Sequence, residues 1–465
     1  MVKINKRYWG LSNWTVVTRD WEFVNSKNIS TDEEKCWLGG KATTIATISE
    51  DLTCGVNIEW AGYMLGEDWV WHKVSTWAKV LQTTWWDDIM NVTTFDDKVL
   101  FFYRDWTTPY IGKLDIDDVW GSTSRQTETS YDETRKTFTS QWTEDHFHTT
   151  QFSLMLYITH WKYIHTLDTN WVLTQDVLIT TSNIVWITNF QNRFKVFLKD
   201  WTVLLWDWIS ETYESSISLN DYIRWVKSMW GIDYVAGWYS SYYSSFYEVA
   251  YPQFKQLNKE TDWPINWTDS KFDFNMSYWA YWDSWMGVYQ GDLYIGTGYN
   301  LVKYWQLSPL FPKTFTNIVG SWESSTIKPM AVLPDVESGT IYFYDSTGNT
   351  ISKVEDNLSD EGNISTRQYN YWTDTMIVNE VKVRCHIPYS TRTMRLLYRK
   401  DNSTGWYYFG DEISDISSES IVVVRDVVEF NNIQRWIKFT YTGTDTDNYA
   451  PTVRELDFNP LPVKR

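Results

Sequence analysis

The chain has 465 residues and a formal net charge of −18 at pH 7, and 43% of its residues are hydrophobic. This length allows two or three domains, or one large all-β array followed by a smaller domain. The acidic charge repels nucleic acid and anionic lipid surfaces, which argues against tight nucleic-acid binding. Abundant Thr, Ser, Asp and Asn beside only 11 Pro favour strands and tight turns over helices.

The spacing of the cysteines and the length of the apolar runs argue against further classes of protein. Cys36, Cys54 and Cys385 are far apart and form no CxxC motif, so buried thiols are favoured over a Cys36–Cys54 disulfide, and a zinc site is excluded. The first residues lack the apolar segment of a signal peptide, and no run approaches the about 18 apolar residues of a membrane span. We therefore expect a chain that folds in a cytoplasm and does not span a membrane.

Tryptophan is unusually frequent and stands where a chain normally needs glycine. The chain has 32 Trp and 21 Gly, whereas an average usage of ~7% predicts roughly 33 glycines. Asp-Gly and Asn-Gly are strong hairpin signals because type I′ turns need positive φ, which a bulky aromatic residue disfavours. Nine tryptophans directly follow Asp or Asn: Trp14, Trp21, Trp69, Trp106, Trp171, Trp201, Trp208, Trp263 and Trp267.

The simplest hypothesis is a lineage that reads UGA as glycine, whose gene was translated with UGA as tryptophan. Most of the 32 tryptophans would then be glycine in the native protein. Trp71, Trp206 and Trp406 lie in apolar or alternating runs typical of true tryptophan, whereas Trp436 is ambiguous. The alternative is a genuinely Trp-rich protein, as in some glycan binders, but this does not explain why Trp follows Asp at successive turns.

Short alternating segments separated by turn signals recur along residues 1–355. Between Met90 and Leu114 the pattern predicts a strand from Lys98 to Arg104, a turn at Asp105–Trp106, and a strand from Pro109 to Leu114. Similar units begin roughly 40 to 70 residues apart, in the range of four-stranded propeller blades with insertions. They follow at Phe152–Val172, Ile184–Trp208, Trp285–Leu307 and Ile327–Val354. We therefore predict an all-β chain whose residues 1–355 form a divergent β-propeller, with stacked β-sandwiches as the alternative.

Some stretches interrupt this pattern. Residues 123–150 are polar and predict a long insertion between blades. Residues 210–226 are compatible with a short helix, and the Tyr/Ser-rich residues 238–251 with an exposed loop. A polar linker is predicted at residues 356–371.

The C-terminal part, residues 372–465, predicts a separate β-sandwich of the jelly-roll type. Evenly spaced strand patterns in so short a length are typical of such modules. The predicted strands are IVNEVKVRCHI, TMRLLYRKD, GWYYFGDEI, SIVVVRDVV, RWIKFTYTG and PTVRELDF.

Few residues have the type and spacing expected of a catalytic or metal-binding site. The His146–His148 pair has the period of a strand face and is suited to a metal, but no third ligand is suggested and a solvated loop is favoured. His160 and His165 are predicted to be half-buried strand residues. The Asp-rich turns at residues 115–118 and 445–447 lack the spacing of a calcium loop. Without a G-x-S-x-G motif or a P-loop, we expect a protein that is not an enzyme and binds no metal or cofactor.

Two groups of aromatic residues are candidate contact surfaces. The first is the Tyr/Ser run, because Tyr and Ser make adaptable recognition surfaces; packing on its own blade is the alternative. Its members are Trp238, Tyr239, Tyr242, Tyr243, Phe246 and Tyr247. The second group, Trp406, Tyr407 and Tyr408, would stack on a sugar if the C-terminal module binds glycans.

The segments DDKVLFFYRDWTTPYIGKLD and VFLKDWTVLLWDW, and the end module from VNEVKVRCHI through RWIKFTYTG to PTVRELDF, resemble tailed-bacteriophage virion proteins. The nozzle and head-completion proteins of short-tailed phages include β-propellers. The resemblance implies a non-enzymatic structural protein of the tail or head–tail assembly, in a ring of copies with other virion proteins. It would be assembled in the host cytoplasm and would face DNA without holding it.

Two other functions compete with the virion role. The first is an adhesion or receptor-recognition protein that binds a host-surface glycan through the C-terminal module. The second, ranked last, is a propeller glycosidase with paired carboxylates facing the central channel.

Overall fold

The computed structural model describes residues 2–3, 10–11, 22–27, 29–31, 36–38, 40–48, 54–58, 61–65, 70–82, 87–105, 108–115, 135–139, 147–219, 222–240, 243–256, 286–296, 300–305, 314–320, 329–345, 348–358, 361–370, 375–401, 403–441 and 450–463. Within these residues the protein is all-β, as predicted, and contains no helix. The described residues accordingly include no helix suited to crossing a bilayer.

The chain divides into two compact units. Unit 1 comprises residues 1–43, 292–329 and 352–465, and unit 2 comprises residues 44–291 and 330–351. In the N-terminal half the strands are β1 (Val2–Lys3), β2 (Gly10–Leu11), β3 (Glu22–Lys27), β4 (Ile29–Thr31), β5 (Cys36–Leu38), β6 (Gly40–Thr47), β7 (Cys54–Ile58), β8 (Ala61–Leu65), β9 (Val70–Lys73), β10 (Ala78–Gln82), β11 (Asp87–Phe95), β12 (Lys98–Asp105), β13 (Thr108–Asp115), β14 (Lys136–Thr137), β15 (Phe147–Phe152), β16 (Met155–His160), β17 (Tyr163–Asp168), β18 (Leu173–Ile179), β19 (Ile184–Phe190), β20 (Arg193–Leu198), β21 (Thr202–Trp206) and β22 (Ser215–Ser218).

The remaining strands are β23 (Tyr222–Met229), β24 (Ile232–Ser240), β25 (Tyr243–Ala250), β26 (Gln253–Gln256), β27 (Met286–Tyr289), β28 (Asp292–Gly296), β29 (Asn300–Trp305), β30 (Thr314–Gly320), β31 (Pro329–Asp335), β32 (Thr340–Asp345), β33 (Thr350–Leu358), β34 (Glu361–Asn370), β35 (Met376–Ile387), β36 (Arg392–Lys400), β37 (Tyr407–Ser414), β38 (Ile416–Phe430), β39 (Asn432–Tyr441), β40 (Thr452–Phe458) and β41 (Leu461–Pro462).

Seven four-stranded sheets follow one another within the described residues. The first six each contain four strands consecutive in sequence: β7–β10, β11–β14, β15–β18, β19–β22, β23–β26 and β27–β30. The seventh has the order β31-β32-β33-β6, so its outermost strand comes from the N-terminal part of the chain. This repeated order, with closure by a strand from the other end of the sequence, is that of propeller blades.

The central strands of these sheets are buried on both faces. In β12, which pairs with β13 in the register Lys98↔Asp115, the residues Val99 to Tyr103 are all at most 1% exposed. A strand buried on both faces has a continuous apolar run rather than alternation, which explains the sequence VLFFY. The predicted strands at Lys98–Arg104 and Pro109–Leu114 are confirmed to within one residue at each end.

Neighbouring sheets pack face to face. One apolar cluster joins the second sheet to the third through Phe102 and Leu156, and others join the third to the fourth and the fourth to the fifth. A further cluster joins the seventh sheet to the first, with Leu333 and Met64 among its members. The strands β7, β11, β15, β19, β23 and β27 also contact one another in series. The first five sheets, which lie in unit 2, together with the unit 2 strands of the sixth and seventh sheets, therefore have the packing of β-propeller blades, in which each blade buries its faces against its neighbours.

A close approach at a glycine links the sixth and seventh sheets. A Cβ atom built on Gly287 in β27 would lie 2.4 Å from Cδ of Pro334 in β31. No other residue fits this contact without a backbone shift. We therefore expect Gly287→Ala to destabilise unit 2 by about 1–3 kcal/mol, measured as a lower midpoint of chemical denaturation. Gly348→Ala, where the nearest atom is 3.4 Å away, is the matched control and should change the midpoint little.

Unit 1 contains a seven-stranded and a six-stranded sheet. The orders are β38-β35-β40-β5-β4, with β1 and β41 at its flanks, and β2-β3-β34-β39-β36-β37. Residues of both sheets, such as Val383 and Phe439, belong to one apolar core. The six strands predicted in residues 372–465 are confirmed as β35 to β40.

Several sequence-based expectations are corrected by strand pairing. Residues 361–370 of the predicted linker form β34, which pairs with β3 and β39, so N-terminal strands belong to the same unit as the C-terminal module. The short helix predicted within residues 210–226 is wrong, because this stretch forms β22 and the start of β23. The predicted insertion 123–150 contributes β14 and the start of β15, and its other residues lie largely outside the described part.

Candidate functional surfaces

The Tyr/Ser-rich run is a hairpin rather than an exposed loop. It comprises the end of β24 and most of β25, with Trp238 opposite Ser244. Phe246 and Tyr247 are at most 2% exposed, and the Phe246 ring stacks on Tyr234. These two members of the predicted contact surface are therefore core residues: as consecutive residues they point to opposite faces of β25, and both faces are covered. The side chains of Trp238, Tyr239, Tyr242 and Tyr243 lie outside the described residues.

The second predicted group lies at the rim of unit 1, on the edge strand β37 and the residue before it. Tyr407 and Tyr408 are 49% and 57% exposed, and Trp406 is half-buried. Tyr408 pairs with Leu397, and Tyr407 pairs with Tyr398. Successive residues of a strand point to opposite faces. Tyr408 and Tyr407 therefore do not form one flat platform.

Two arginines of β36 cover the aromatic rings on the Tyr408 side. The guanidinium of Arg399 lies 5.0 Å from the centre of the Trp406 ring, and that of Arg395 lies 4.7 Å from the centre of the Tyr408 ring. Arg395 also pairs with Glu412. Spacing by four residues on a strand places both arginines on one face. These arginines were not predicted from the sequence, although the alternation in RTMRLLYRK indicates that they share one face of the strand.

The outer face of β38 is the most apolar exposed surface described in unit 1. Ile421, Val423 and Val427 are 63%, 41% and 67% exposed. Ile421 pairs with Arg384, and Val423 pairs with Lys382, on the neighbouring strand β35. Strand β40 adds a third row, because Arg384 also pairs with Glu455 and Lys382 with Asp457. Arg425, whose side chain is 80% exposed, lies between Val423 and Val427 on this face. Lys382 and Arg384 form salt bridges with Glu380 and Glu419, so charges of both signs surround the apolar side chains.

Two histidines are buried in the third sheet of unit 2. His160 is 3% exposed and stacks on Phe147 at 4.5 Å, and His165 is fully buried beside Phe138. Half-burial, as predicted, is therefore wrong. Burial lowers the pKa of His160 to about 4, and burial with the neighbouring His160 lowers that of His165 to about 3. Both imidazoles are neutral at pH 7.

These histidines do not assemble a metal centre in the described part of the chain. Nδ1 of His165 accepts a hydrogen bond from the backbone N–H of Asp176 at 3.1 Å, which fixes the ring proton on Nε2. No group of three or more His, Cys, Asp or Glu among the described residues has a geometry suited to a metal ion. His148, predicted in a solvated loop, lies buried in β15, and His146 lies outside the described residues.

A buried ion pair joins the fourth and fifth sheets. Lys195 of β20 and Asp233 of β24 form a salt bridge, and each side chain is 1% exposed. Asp233 also accepts hydrogen bonds from Ser228 of the same sheet and Thr188 of the neighbouring one. Burial raises the pKa of Asp233, against the opposing effect of Lys195. Every carboxylate oxygen is thus engaged, as a structural ion pair requires.

Comparisons with known proteins show similarity of structure alone. No family model and no curated protein matches the sequence. Similar solved structures include the WD40 β-propeller domain of Doa1, with 12% identity, a TM-score of 0.43 and coverage of 68% of this chain and 97% of that one. The WD40 domain of Neurospora crassa Pan2 has 7% identity, a TM-score of 0.42 and coverage of 70% and 96%. The computationally designed Ika8 protein has 6% identity, a TM-score of 0.41 and coverage of 75% and 99%.

Proposed function

We propose that this chain is a non-enzymatic structural protein of a tailed-bacteriophage virion, part of the tail or the head–tail assembly, and that it acts in a ring of copies. Its framework would be a seven-bladed propeller closed by β6, followed by a C-terminal β-sandwich. The proposed partners are other virion proteins, and the proposed location is the virion, after assembly in the host cytoplasm. The net charge of −18 suits a wall past which DNA moves without sticking.

The observation that carries this proposal is the outer face of β38. Exposed apolar side chains in a row on a sheet face mark a surface that associates. The occupant we propose is a second copy of this chain, because charges of both signs, Lys382 and Arg384 on β35 and Glu455 and Asp457 on β40, border the apolar side chains, so that the face can be complementary to itself. Because both copies use the same face, this contact is isologous and produces a two-fold dimer. A ring of copies needs, in addition, a second contact between two different surfaces of the chain.

We expect the purified full-length chain to form homo-oligomers, and Ile421→Lys combined with Val423→Lys to produce monomers. A charge placed in a buried apolar contact carries a large desolvation cost. Molar mass by light scattering on a sizing column measures the change. The matched control is Leu154→Lys, since Leu154 is 69% exposed in a turn of unit 2, and it should leave the oligomer intact. A monomeric parent chain at micromolar concentration would overturn the proposed self-association.

The virion location is tested separately by probing density-purified phage particles with an antibody against the chain. The proposal expects a constant amount of the chain per particle, retained after washing at high salt. A chain present in infected cells but absent from particles would contradict the structural role. It would leave the fold and the self-association untouched.

A second candidate function, recognition of a host-surface glycan, is favoured by the exposure of Tyr407 and Tyr408. If it holds, Tyr408→Ala should weaken binding to a polysaccharide array at least tenfold, because stacking on a sugar needs that ring. Phe254→Ala is the control, since Phe254 is 40% exposed in unit 2. The whole chain is the correct probe, because strands from residues 1–43 belong to unit 1. An array without any bound glycan counts against this function.

A further inference from the structure

Backbone geometry separates the tryptophans of this chain into two groups. Among the described residues, seventeen non-glycine positions have positive φ, and six of them are Trp: Trp77, Trp161, Trp171, Trp201, Trp208 and Trp230. Most of the others are Asp, Asn, Gln or Ser, the first two of which tolerate this region. Tyr and Phe together number 52 in the chain, yet they supply one such position in the described part, Tyr389. The enrichment is therefore specific to Trp and not shared by the other bulky aromatics.

Four of these tryptophans, Trp161, Trp171, Trp201 and Trp230, lie in hairpin turns of a type that favours glycine. Trp230 and Gly231 form a two-residue hairpin between Met229 and Ile232, with φ of 56° and 76°. This is the type I′ pattern, in which both central residues need positive φ. Trp161, with φ of 54°, is the first of two residues between His160 and Tyr163. That is the position where a type II′ turn takes glycine.

Two three-residue hairpin loops also have Trp at a position where glycine is preferred. Trp171 donates its backbone N–H to the carbonyl of Asp168 at 3.0 Å and has φ of 63°. Trp201, with φ of 73°, is the last loop residue before β21. A type I turn followed by a left-handed residue is the usual three-residue hairpin, and glycine is preferred at its last position.

Three of the six indoles are exposed to solvent, whereas Trp77 and Trp171 lie against the edges of apolar clusters. Trp230 is 83% exposed, and Trp201 and Trp208 are each 39% exposed. Trp206 contrasts with them: it is 1% exposed, lies within β21, and donates its indole N–H to the carbonyl of Ser210 at 2.7 Å. Burial with a satisfied N–H is what a true tryptophan requires.

We infer that the six positive-φ tryptophans are glycine in the native protein, because its gene is read with UGA as glycine, whereas Trp206 is a true tryptophan. The inference is independent of the proposed virion role. It extends to Trp77, Trp161 and Trp230, which do not follow Asp or Asn and which the sequence pattern alone did not single out. The tryptophans at the positive-φ turns of this chain therefore do not indicate a binding surface.

Codon usage in the gene tests this directly. We expect UGA at all six positive-φ positions and UGG at Trp206, together with a glycine-accepting tRNA with the anticodon UCA in the source genome. UGG at the six positions would overturn the inference. So would a UCA tRNA that is charged with tryptophan.

Stability of the recombinant protein gives a second test. Trp201→Gly, Trp208→Gly and Trp230→Gly should each raise the midpoint of thermal unfolding, by roughly 2 °C or more, because the left-handed conformation disfavours side chains with a Cβ. Trp206→Gly should instead lower the midpoint strongly, since it empties a core position. Lower midpoints for all three turn variants would contradict the assignment of these positions to glycine.

Discussion

Lys195→Met is expected to lower the free energy of unfolding of unit 2 by about 3–5 kcal/mol. The change leaves the carboxylate of Asp233 buried at 1% exposure without its cation. Denaturation in urea, followed by fluorescence and far-UV circular dichroism, measures the loss. Lys199→Met is the matched control: Lys199 is the exposed residue that follows β20, and this variant should stay within about 0.5 kcal/mol of the parent.

The double variant Lys195→Met with Asp233→Leu is expected to recover most of this loss. Two well-packed apolar side chains remove both charges, and replacing a buried pair in this way is often neutral or stabilising. In the single Lys195→Met variant, burial keeps the Asp233 pKa above its unfolded value, so the deficit should shrink as the pH falls towards about 4. Equal losses of unfolding free energy in the single and double variants would show that side-chain shape, and not charge pairing, determines the stability contributed by Lys195 and Asp233.

Unit 2 is expected to lose on the order of 4 kcal/mol of stability between pH 8 and pH 5 through His160 and His165. Unfolded histidine has a pKa of about 6.5, whereas the folded values are about 4 and about 3. Because the folded pKa values are depressed, the unfolded state binds more protons as the pH falls below about 6.5. Stability is therefore fully present above that pH and is lost progressively below it.

Comparison of the parent with His160→Phe isolates this contribution from that of the carboxylates. Phenylalanine keeps the stacking on Phe147 and cannot take up a proton, so the variant should lose about 2 kcal/mol less than the parent between pH 8 and pH 5. The free energy of unfolding at both pH values is the quantity to measure. The same pH dependence in the parent and the variant would mean that His160 does not titrate from a buried, neutral state.

Local patterns in the sequence predicted strands well. The runs that became β12 and β13, and the six strands from β35 to β40, were predicted because alternation or continuous apolar runs were bounded by turn residues. These local patterns did not predict which strands pair when the two partners are distant in sequence. β6 completes the last sheet of the propeller, and β34 pairs with β3, and neither pairing leaves a local signal.

The candidate sites were less predictable for a related reason. Exposure along β38 depends on which face the neighbouring sheet covers, so its apolar outer residues look like core in the sequence. Phe246 and Tyr247 were predicted at a contact surface because a Tyr/Ser run suggests adaptable recognition, whereas packing between blades buries them. Lys195 and Asp233 are separated by a whole blade in sequence, and only the packing of adjacent sheets brings them together.

Peptide mass spectrometry on purified virus particles from the source community tests the account most directly. The tryptic peptide from Asp200 to Arg224 contains Trp201, Trp206 and Trp208 together. We predict that this peptide is present in particles, with glycine at positions 201 and 208 and tryptophan at position 206. A peptide with tryptophan at all three positions would contradict the reassigned codon, and absence of the chain from intact particles would contradict the virion role.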